Sequence, residues 1–434
     1  MKRLILEKLI AWKDDPYRKP LIIRGARQVG KTWIMKQFGA LYFEKVAYLN
    51  FDNNTRMVNL YEHDFDLQRI LTGLQIEAGV PIDSETLIIF DEIQNVPNAI
   101  NSLKYFFEQL PDYHILAAGS LLGVALHPAS SFPVGSVQFL DLYPLNFSEF
   151  LSATGNDDLL SLLYQQDFEL ITAFKSKYID LLKKYYFCGG MPEVVKTYTL
   201  TNDFMKVRQV QSQLLQAYIQ DFSKHAPLEI VPRIRLLWNS IPAQLSKENR
   251  KFVYGLIKQG ARARDFELAL QWLLDSGLIY QVLRISKPNI PLSAYIDGNS
   301  FKLFFLDIGL LCALSELDLK TLLEGSRIFE EFKGSLTEQF VFQELLASRE
   351  INPFYWSAEN GTAEVDFVFQ YNGEIIPLEV KAAENLQSKS LRSFSEKYQP
   401  SRVFRISLSD FRKGEHVHNI PLYATPILVE LLDK

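Results

Sequence analysis

The sequence predicts an α/β protein with a P-loop parallel-sheet domain first, a helical and winged-helix middle, and a second α/β domain toward the C-terminal end. Three observations carry this. Gly25-Ala26-Arg27-Gln28-Val29-Gly30-Lys31-Thr32 is a complete G-x-x-x-x-G-K-[ST] string between the apolar run Leu21-Ile22-Ile23 and residues at helical spacing, Trp33, Ile34 and Phe38. Farther along, Thr86-Leu87-Ile88-Ile89-Phe90 ends in Asp91-Glu92. Near the other end, Glu364 to Gln370 alternates between polar and apolar except at Val368. Asn372-Gly373, the strongest short hairpin signal, follows it.

Strand, glycine-rich turn and helix form the order that phosphate binding needs. The backbone N–H groups of such a turn curl round an anion, and the helix N-terminus adds partial positive charge. Lys31 is expected to reach the β- and γ-phosphates of ATP, and Thr32 to offer its hydroxyl to Mg²⁺. The apolar strand that follows delivers Asp91 to its carboxyl end, where it can hold Mg²⁺ through water. Glu92 is then placed to polarise the attacking water.

Val46 to Phe51 reads as another strand, and a helix is expected from about Ala99 to Leu110. His114 to Ser120 is a further buried strand with a small polar end. Ser120 can contact the γ-phosphate or the water, or it can cap the next helix. Strand and helix alternate through residue 140, which gives a parallel sheet with helices on both faces and phosphates beyond its carboxyl ends.

Composition sets the frame. The chain has 434 residues, 47% hydrophobic and 22% charged, which is enough for two or three domains with separate cores and unlike a disordered chain. The two cysteines, Cys188 and Cys312, lie far apart, which argues against a disulfide framework or a cysteine zinc site and suits a reducing cytoplasm. No apolar run approaches the roughly 20 residues of a membrane span. Glu7 and Lys8 interrupt the first apolar stretch, so an amphipathic helix fits better there than a signal peptide. The net charge of −5 gives no global case for nucleic-acid binding, so any such case must be local.

GARQVGKT, IIFDEIQNVP, LAAGSLL and LYPLNFSEFL, in that order, resemble the ATPase half of a prokaryotic family that joins an AAA-type ATP-binding domain to a C-terminal restriction-endonuclease-like domain. The resemblance covers essentially the whole chain. In that family a basic residue often stands in the stretch that is Val134-Gly135-Ser136-Val137 here. Ser136 departs from the pattern, which implies slow hydrolysis or another group in that role. Arg27, in the loop itself, is a possible substitute.

The expected domains are residues 1–154 (AAA-type P-loop ATPase), 155–225 (helical lid), 226–300 (winged helix-turn-helix) and 301–434 (restriction-endonuclease-like). Within the lid, Gly189-Gly190-Met191-Pro192 breaks the helical pattern. Across residues 205–265 the charge changes. Lys206, Arg208, Lys224, Arg233, Arg235, Lys247, Arg250, Lys251, Lys258, Arg262 and Arg264 meet only Asp221, Glu229, Glu248 and Asp265, a surplus of +7. One helix after Pro232, a second over Lys251–Lys258, a third from Arg264, and strands at Leu278–Leu283 and Leu292–Ile296 describe a winged helix. Arg262 and Arg264 then stand at the start of the recognition helix, and DNA is the expected partner. The alternative is a winged helix that serves only to pack against protein.

At the C-terminal end, Leu336–Leu346 reads as an amphipathic helix carrying Glu338. A two-residue Asn372-Gly373 loop sets Tyr371 opposite Glu374 and Asp366 opposite Glu379, with Cβ atoms roughly 4.5–5.5 Å apart. Lys381 shares their face. Two carboxylates so close repel unless a cation lies between them. A divalent metal would satisfy them, with Lys381 beside it to orient or deprotonate a water. Helix Glu, strand Asp, hairpin, Glu-x-Lys is similar to the active-site pattern of restriction-endonuclease-like nucleases, filled here by Glu338, Asp366, Glu379 and Lys381. Glu331-Phe332-Lys333 repeats the short string without the context.

Two functions follow from this reading. One is an ATP-dependent, DNA-associated protein whose nuclease-like domain uses metal and is gated by nucleotide. The other is a nucleotide-dependent signalling or interaction protein whose C-terminal domain keeps the acids without cutting.

Overall fold

The computed structural model describes residues 1–119, 132–246, 251–324, 330–348, 351–359, 361–384 and 388–433. They divide into two compact units. Lys2–Tyr143 with Asp275–Gly277 form the first, and Pro144–Leu274 with Leu278–Lys434 form the bulk of the second.

The first unit opens with the helix Ile5–Asp14, which buries Ile5, Leu9 and Trp12. Its sheet comprises β1 (Leu21–Arg24), β2 (Lys45–Asn50), β3 (Thr86–Asp91), β4 (His114–Ala118) and β5 (Gln138–Asp141). The order is β2-β3-β4-β1-β5, all parallel. Every residue of β3 is buried, as an apolar strand inside a helix-covered parallel sheet must be. β4 lies between β1 and β3 and pairs Ala118 with both Ile23 and Asp91. That register levels the carboxyl ends of β1 and β3, so the loop after Arg24 and the Asp91 carboxylate share one edge.

In the second unit, residues 157–225 form the helices Asp157–Gln165, Phe168–Ala173, Lys175–Cys188, Pro192–Thr201 and Phe204–His225. The break is where the sequence places it. Lys175–Cys188 ends at Gly189, whose φ of 70° favours glycine, and the next helix starts at Pro192. Gly190 N–H donates to Asp307 at 2.6 Å, and a Cβ on Gly190 would meet the Leu145 carbonyl oxygen.

An eight-stranded mixed sheet follows. Its strands are β6 (Ile279–Ile285), β7 (Ile296–Phe305), β8 (Phe354–Ser357), β9 (Glu364–Tyr371), β10 (Glu374–Val380), β11 (Val403–Ser407), β12 (Arg412–Lys413) and β13 (Val417–Pro421), in the order β12-β13-β11-β10-β9-β8-β6-β7.

The structure corrects several expectations. By packing, the first unit closes at Tyr143, and residues 155–225 belong to the second unit, where Lys175–Cys188 packs on the helix Ile308–Leu314. The boundary at residue 300 falls inside β7. The expected wing, β6 and β7, continues the C-terminal sheet because β6 pairs with β8. Lys251–Lys258 forms a single 3₁₀ turn, Tyr254–Leu256, rather than a helix. Leu292–Tyr295 is also 3₁₀, and the strand begins at Ile296.

The helix Glu330–Ser348 is not amphipathic. Leu336 through Leu345 are all buried. Its buried glutamines reach backbone groups of neighbouring segments. Gln339 accepts from Phe305 N–H and donates to the Phe305 carbonyl, each at 2.8 Å, and Gln343 accepts from Ile308 N–H.

Candidate functional site

The phosphate loop is built as its residue types require. Gly25 has φ 149°, and a Cβ there would meet the Leu142 carbonyl oxygen, so only glycine fits between the two backbones. Gly30 has φ 98° and precedes the helix Lys31–Tyr42. Between them Gln28 also takes a left-handed conformation, φ 65°. The loop is braced from behind by Arg3. Its guanidinium is buried and donates to the carbonyls of Val29, at 3.2 Å, and Tyr143, at 2.6 Å. Nothing in the local pattern around Arg3 marks it for this.

Lys31 donates to the carbonyls of Gly25, at 2.9 Å, and Ala26, at 2.8 Å, so the ammonium lies inside the loop. Burial pulls its pKa down to about 8, Glu92 and Asp91 work against that, and Arg27 adds to it. Arg27 is therefore close enough to act electrostatically on the same site.

The Thr32 hydroxyl donates to Asp91 Oδ2 at 2.7 Å, and the Tyr48 hydroxyl donates to the same oxygen at 2.8 Å. Burial and Asp91 push the Tyr48 phenol up, so it stays a donor. Tyr48 is a site residue the sequence reading missed. The available signal was its place in the apolar strand beside the one that carries the acids.

A hydroxyl and a carboxylate one hydrogen bond apart form an all-oxygen pair that fits Mg²⁺, the remaining positions being open to phosphate and water. Glu92, at φ 54°, accepts from Gln94 Nε2 at 2.6 Å. Ser136 is buried with its N–H on the Pro133 carbonyl. Ser120 lies outside the described residues.

In the second unit the hairpin has the expected register. Tyr371 pairs with Glu374, Val368 with Pro377 and Phe367 with Leu378. The ladder ends there. The next pair, Asp366 and Glu379, does not extend it. Instead Asp366 Oδ2 accepts from Val380 N–H at 2.8 Å.

Two separate ion-pair groups then form. Lys381 Nζ lies 2.7 Å from Glu379 Oε1. Lys302, from β7, brings its ammonium 2.5 Å from Glu364, 3.6 Å from Glu338 and 3.7 Å from Asp366. Lys302 is 1% exposed. Arg405, paired in register with Glu379 on the neighbouring strand, is also buried and acts electrostatically on that carboxylate. The one sequence hint of Lys302 is a charge inside the apolar run Phe301-Lys302-Leu303-Phe304-Phe305.

Among the described residues no three His, Cys, Asp or Glu side chains converge as metal ligands would. Of the expected metal ligands, Asp366 lies with Lys302 and Glu379 with Lys381.

Of the basic residues between 205 and 265, Lys206, Lys224, Arg233, Arg235, Lys251, Lys258, Arg262 and Arg264 are exposed. Arg208 is committed inward, donating to the Leu317 carbonyl at 2.6 Å and lying over the Phe187 ring. Lys247, Glu248 and Arg250 lie outside the described residues. No helix among the described residues is long and apolar enough to cross a membrane.

The sheet order and the loop geometry define a P-loop nucleotide-binding domain. Residues 17–151 match the family described as AAA domain, and this part of the chain is an AAA-type P-loop ATPase domain. Residues 179–321 and 333–425 match two domains of unknown function, DUF8612 and DUF4143. No curated protein matches the chain.

Similar solved structures include the Walker-type ATPase PABY2304 of Pyrococcus abyssi, 14% identical over 71% of this chain and 94% of that one, with TM-score 0.43. A RuvB variant of Thermotoga maritima is 13% identical over 64% and 88%, with TM-score 0.30. PCH-2 of C. elegans is 12% identical over 38% and 47%, with TM-score 0.23.

Proposed function

We propose that the chain binds ATP with Mg²⁺ in the first unit and hydrolyses it. The observation that carries this is the Thr32–Asp91 hydrogen bond of 2.7 Å at the mouth of a loop that already encloses the Lys31 ammonium. Bound there, Mg²⁺ would neutralise charge on the β- and γ-phosphate oxygens. The chain's own groups do the rest. Loop N–H groups and the N-terminus of the helix Lys31–Tyr42 bind phosphate. Lys31 leaves the Gly25 and Ala26 carbonyls for the phosphates. Thr32 and Asp91 supply the oxygens that hold the ion. Glu92 orients the attacking water, and Gln94 holds Glu92 until substrate arrives.

Isothermal titration with ATP tests this. Lys31→Ala should weaken binding about tenfold or more. Glu92→Gln should bind as wild type and hydrolyse on the order of a hundredfold more slowly, the lower range for loss of a general base. Equal ATP affinity for wild type and Lys31→Ala would sink the proposal.

A second reading adds duplex DNA as a partner. It is supported by the exposed Arg262 and Arg264 at the start of the helix Ala263–Asp275 and by the six other exposed cations between residues 206 and 258. The metal-dependent nuclease reading of Glu338, Asp366, Glu379 and Lys381 has the hairpin register in its favour and the Lys302 ion pairs against it. We therefore favour a nucleotide-driven interaction protein whose C-terminal domain does not cut.

A further inference from the structure

We infer that Lys302 is the built-in cation of the C-terminal acid site. It stands where a divalent ion would have to bind, so the wild-type site takes neither Mg²⁺ nor Mn²⁺ and acts as a buried ion-pair junction between β7, β9 and the helix Glu330–Ser348. This rests on the reading that the C-terminal domain does not cut, and it supplies the physical reason for it.

The charges around the site make the case. Three carboxylates, Glu338, Glu364 and Asp366, are gathered round Lys302, and Glu379 stands in the neighbouring group with Lys381. Glu338 and Glu379 are 5% and 3% exposed. Carboxylates held so far from water need cations at hand. Three are supplied by the chain, and each has a defined place. The Lys302 ammonium reaches Glu364, Glu338 and Asp366, Lys381 holds Glu379, and Arg405 stands beside Glu379 on β11.

One further acceptor atom is used as well. Asp366 Oδ2 is taken by Val380 N–H at 2.8 Å, which fixes that carboxylate to the hairpin. A divalent ion entering the group would meet the Lys302 ammonium at short range in a poorly screened interior. Lys302 is 1% exposed, and its ammonium also lies over the Tyr355 ring, 5.1 Å from the centroid.

The same position explains why a lysine is kept in an apolar strand. β7 is the edge of the sheet, and Lys302 ties it to β9, beyond β6 and β8 in the sheet order. The ion pairs therefore do positional work that a freely exchanging metal would do only while bound.

The test is thermal unfolding of the full chain without nucleotide. It is run in chelator and in millimolar Mn²⁺ or Mg²⁺, with Asp91→Asn in every sample so that the first unit contributes no metal response. With Lys302 intact, the melting temperature should be the same in both conditions. Lys302→Met leaves three carboxylates without their cation. It should lower the melting temperature in chelator by on the order of 10 °C, and Mn²⁺ should restore part of the loss.

Should Lys302→Met fail to fold, Lys302→Met with Glu364→Gln removes the ammonium and its closest acid together. That variant should fold and should gain stability from Mn²⁺. A saturable, Asp366-dependent rise in melting temperature with Lys302 present would overturn the inference, as would variants that fold and show no metal response. DNA cleavage by a sample whose melting temperature ignores metal would instead overturn the non-cutting reading and leave the role of Lys302 standing.

Discussion

The Tyr48 hydroxyl and the Thr32 hydroxyl donate to the same carboxylate oxygen, Asp91 Oδ2, at 2.8 and 2.7 Å. One donor comes from the strand beside Asp91 and the other from the phosphate loop, so Asp91 is aimed from two sides. Only Thr32 is expected to turn away when Mg²⁺ binds. Tyr48 then remains to hold the carboxylate in place.

Tyr48→Phe removes that hold without changing the ring, over which the Lys36 ammonium sits at 3.6 Å. A hydrogen bond to a charged group contributes about 1.5–3 kcal/mol. The variant should therefore need roughly ten times more free Mg²⁺ to reach half-maximal hydrolysis. Nucleotide affinity without metal should stay near wild type. An unchanged Mg²⁺ dependence would show that Thr32 and the strand alone orient Asp91.

Stability should depend on pH through Glu344. Burial raises its carboxyl from 4.5 to about 8, with the nearby Glu149 adding to the rise, while the bond from Phe147 N–H opposes it. The folded chain thus holds a proton that the unfolded chain has released. That contribution is fully present below about pH 4.5 and is lost as pH rises toward 8. Asp307, raised to about 6 by burial, acts in the same direction over a lower window.

Glu344→Gln keeps an acceptor for Phe147 N–H and carries no charge. Its urea unfolding midpoint should be nearly flat between pH 6 and 8, where the wild-type midpoint falls. Between about pH 4.5 and 6 both should fall, the wild type more steeply, because Asp307 titrates in both proteins and Glu344 only in the wild type. Parallel curves for the two proteins across the whole range would remove Glu344 as the titrating group.

Duplex DNA binding, if it uses the helix Ala263–Asp275, should weaken with salt. Arg262→Ala with Arg264→Ala should lower affinity and flatten the salt slope by up to about two units. Both side chains are exposed, and the ion pair of Arg264 with its neighbour Asp265 is a long contact, 3.9 Å, so the fold should not suffer. Absence of any shift by wild type at low salt, with and without ATP, would make this surface a packing face.

The sequence alone determined what short-range rules control. A phosphate loop is a local object. Its glycines, its lysine and its helix start lie in one stretch, and the strand before it is apolar because a parallel sheet buries both faces. The same holds for the hairpin, where Asn372-Gly373 sets a register that the structure follows down to Phe367 and Leu378. The Gly189–Pro192 break between two helices was legible for the same reason.

Tertiary structure decided everything that depends on which distant groups meet. The sequence placed Asp366 and Glu379 across one ladder with Lys381 beside them, and a metal followed from their repulsion. Folding answered the repulsion differently. It brought Lys302 from β7 to Glu338, Glu364 and Asp366, and gave Glu379 to Lys381 and Arg405. Tyr48, Arg3 and Glu344 entered their sites in the same way. A buried charge must find a counter-charge, but nothing in its own neighbourhood of the chain says which element will bring it. Only the packed sheet and its helices fix that choice.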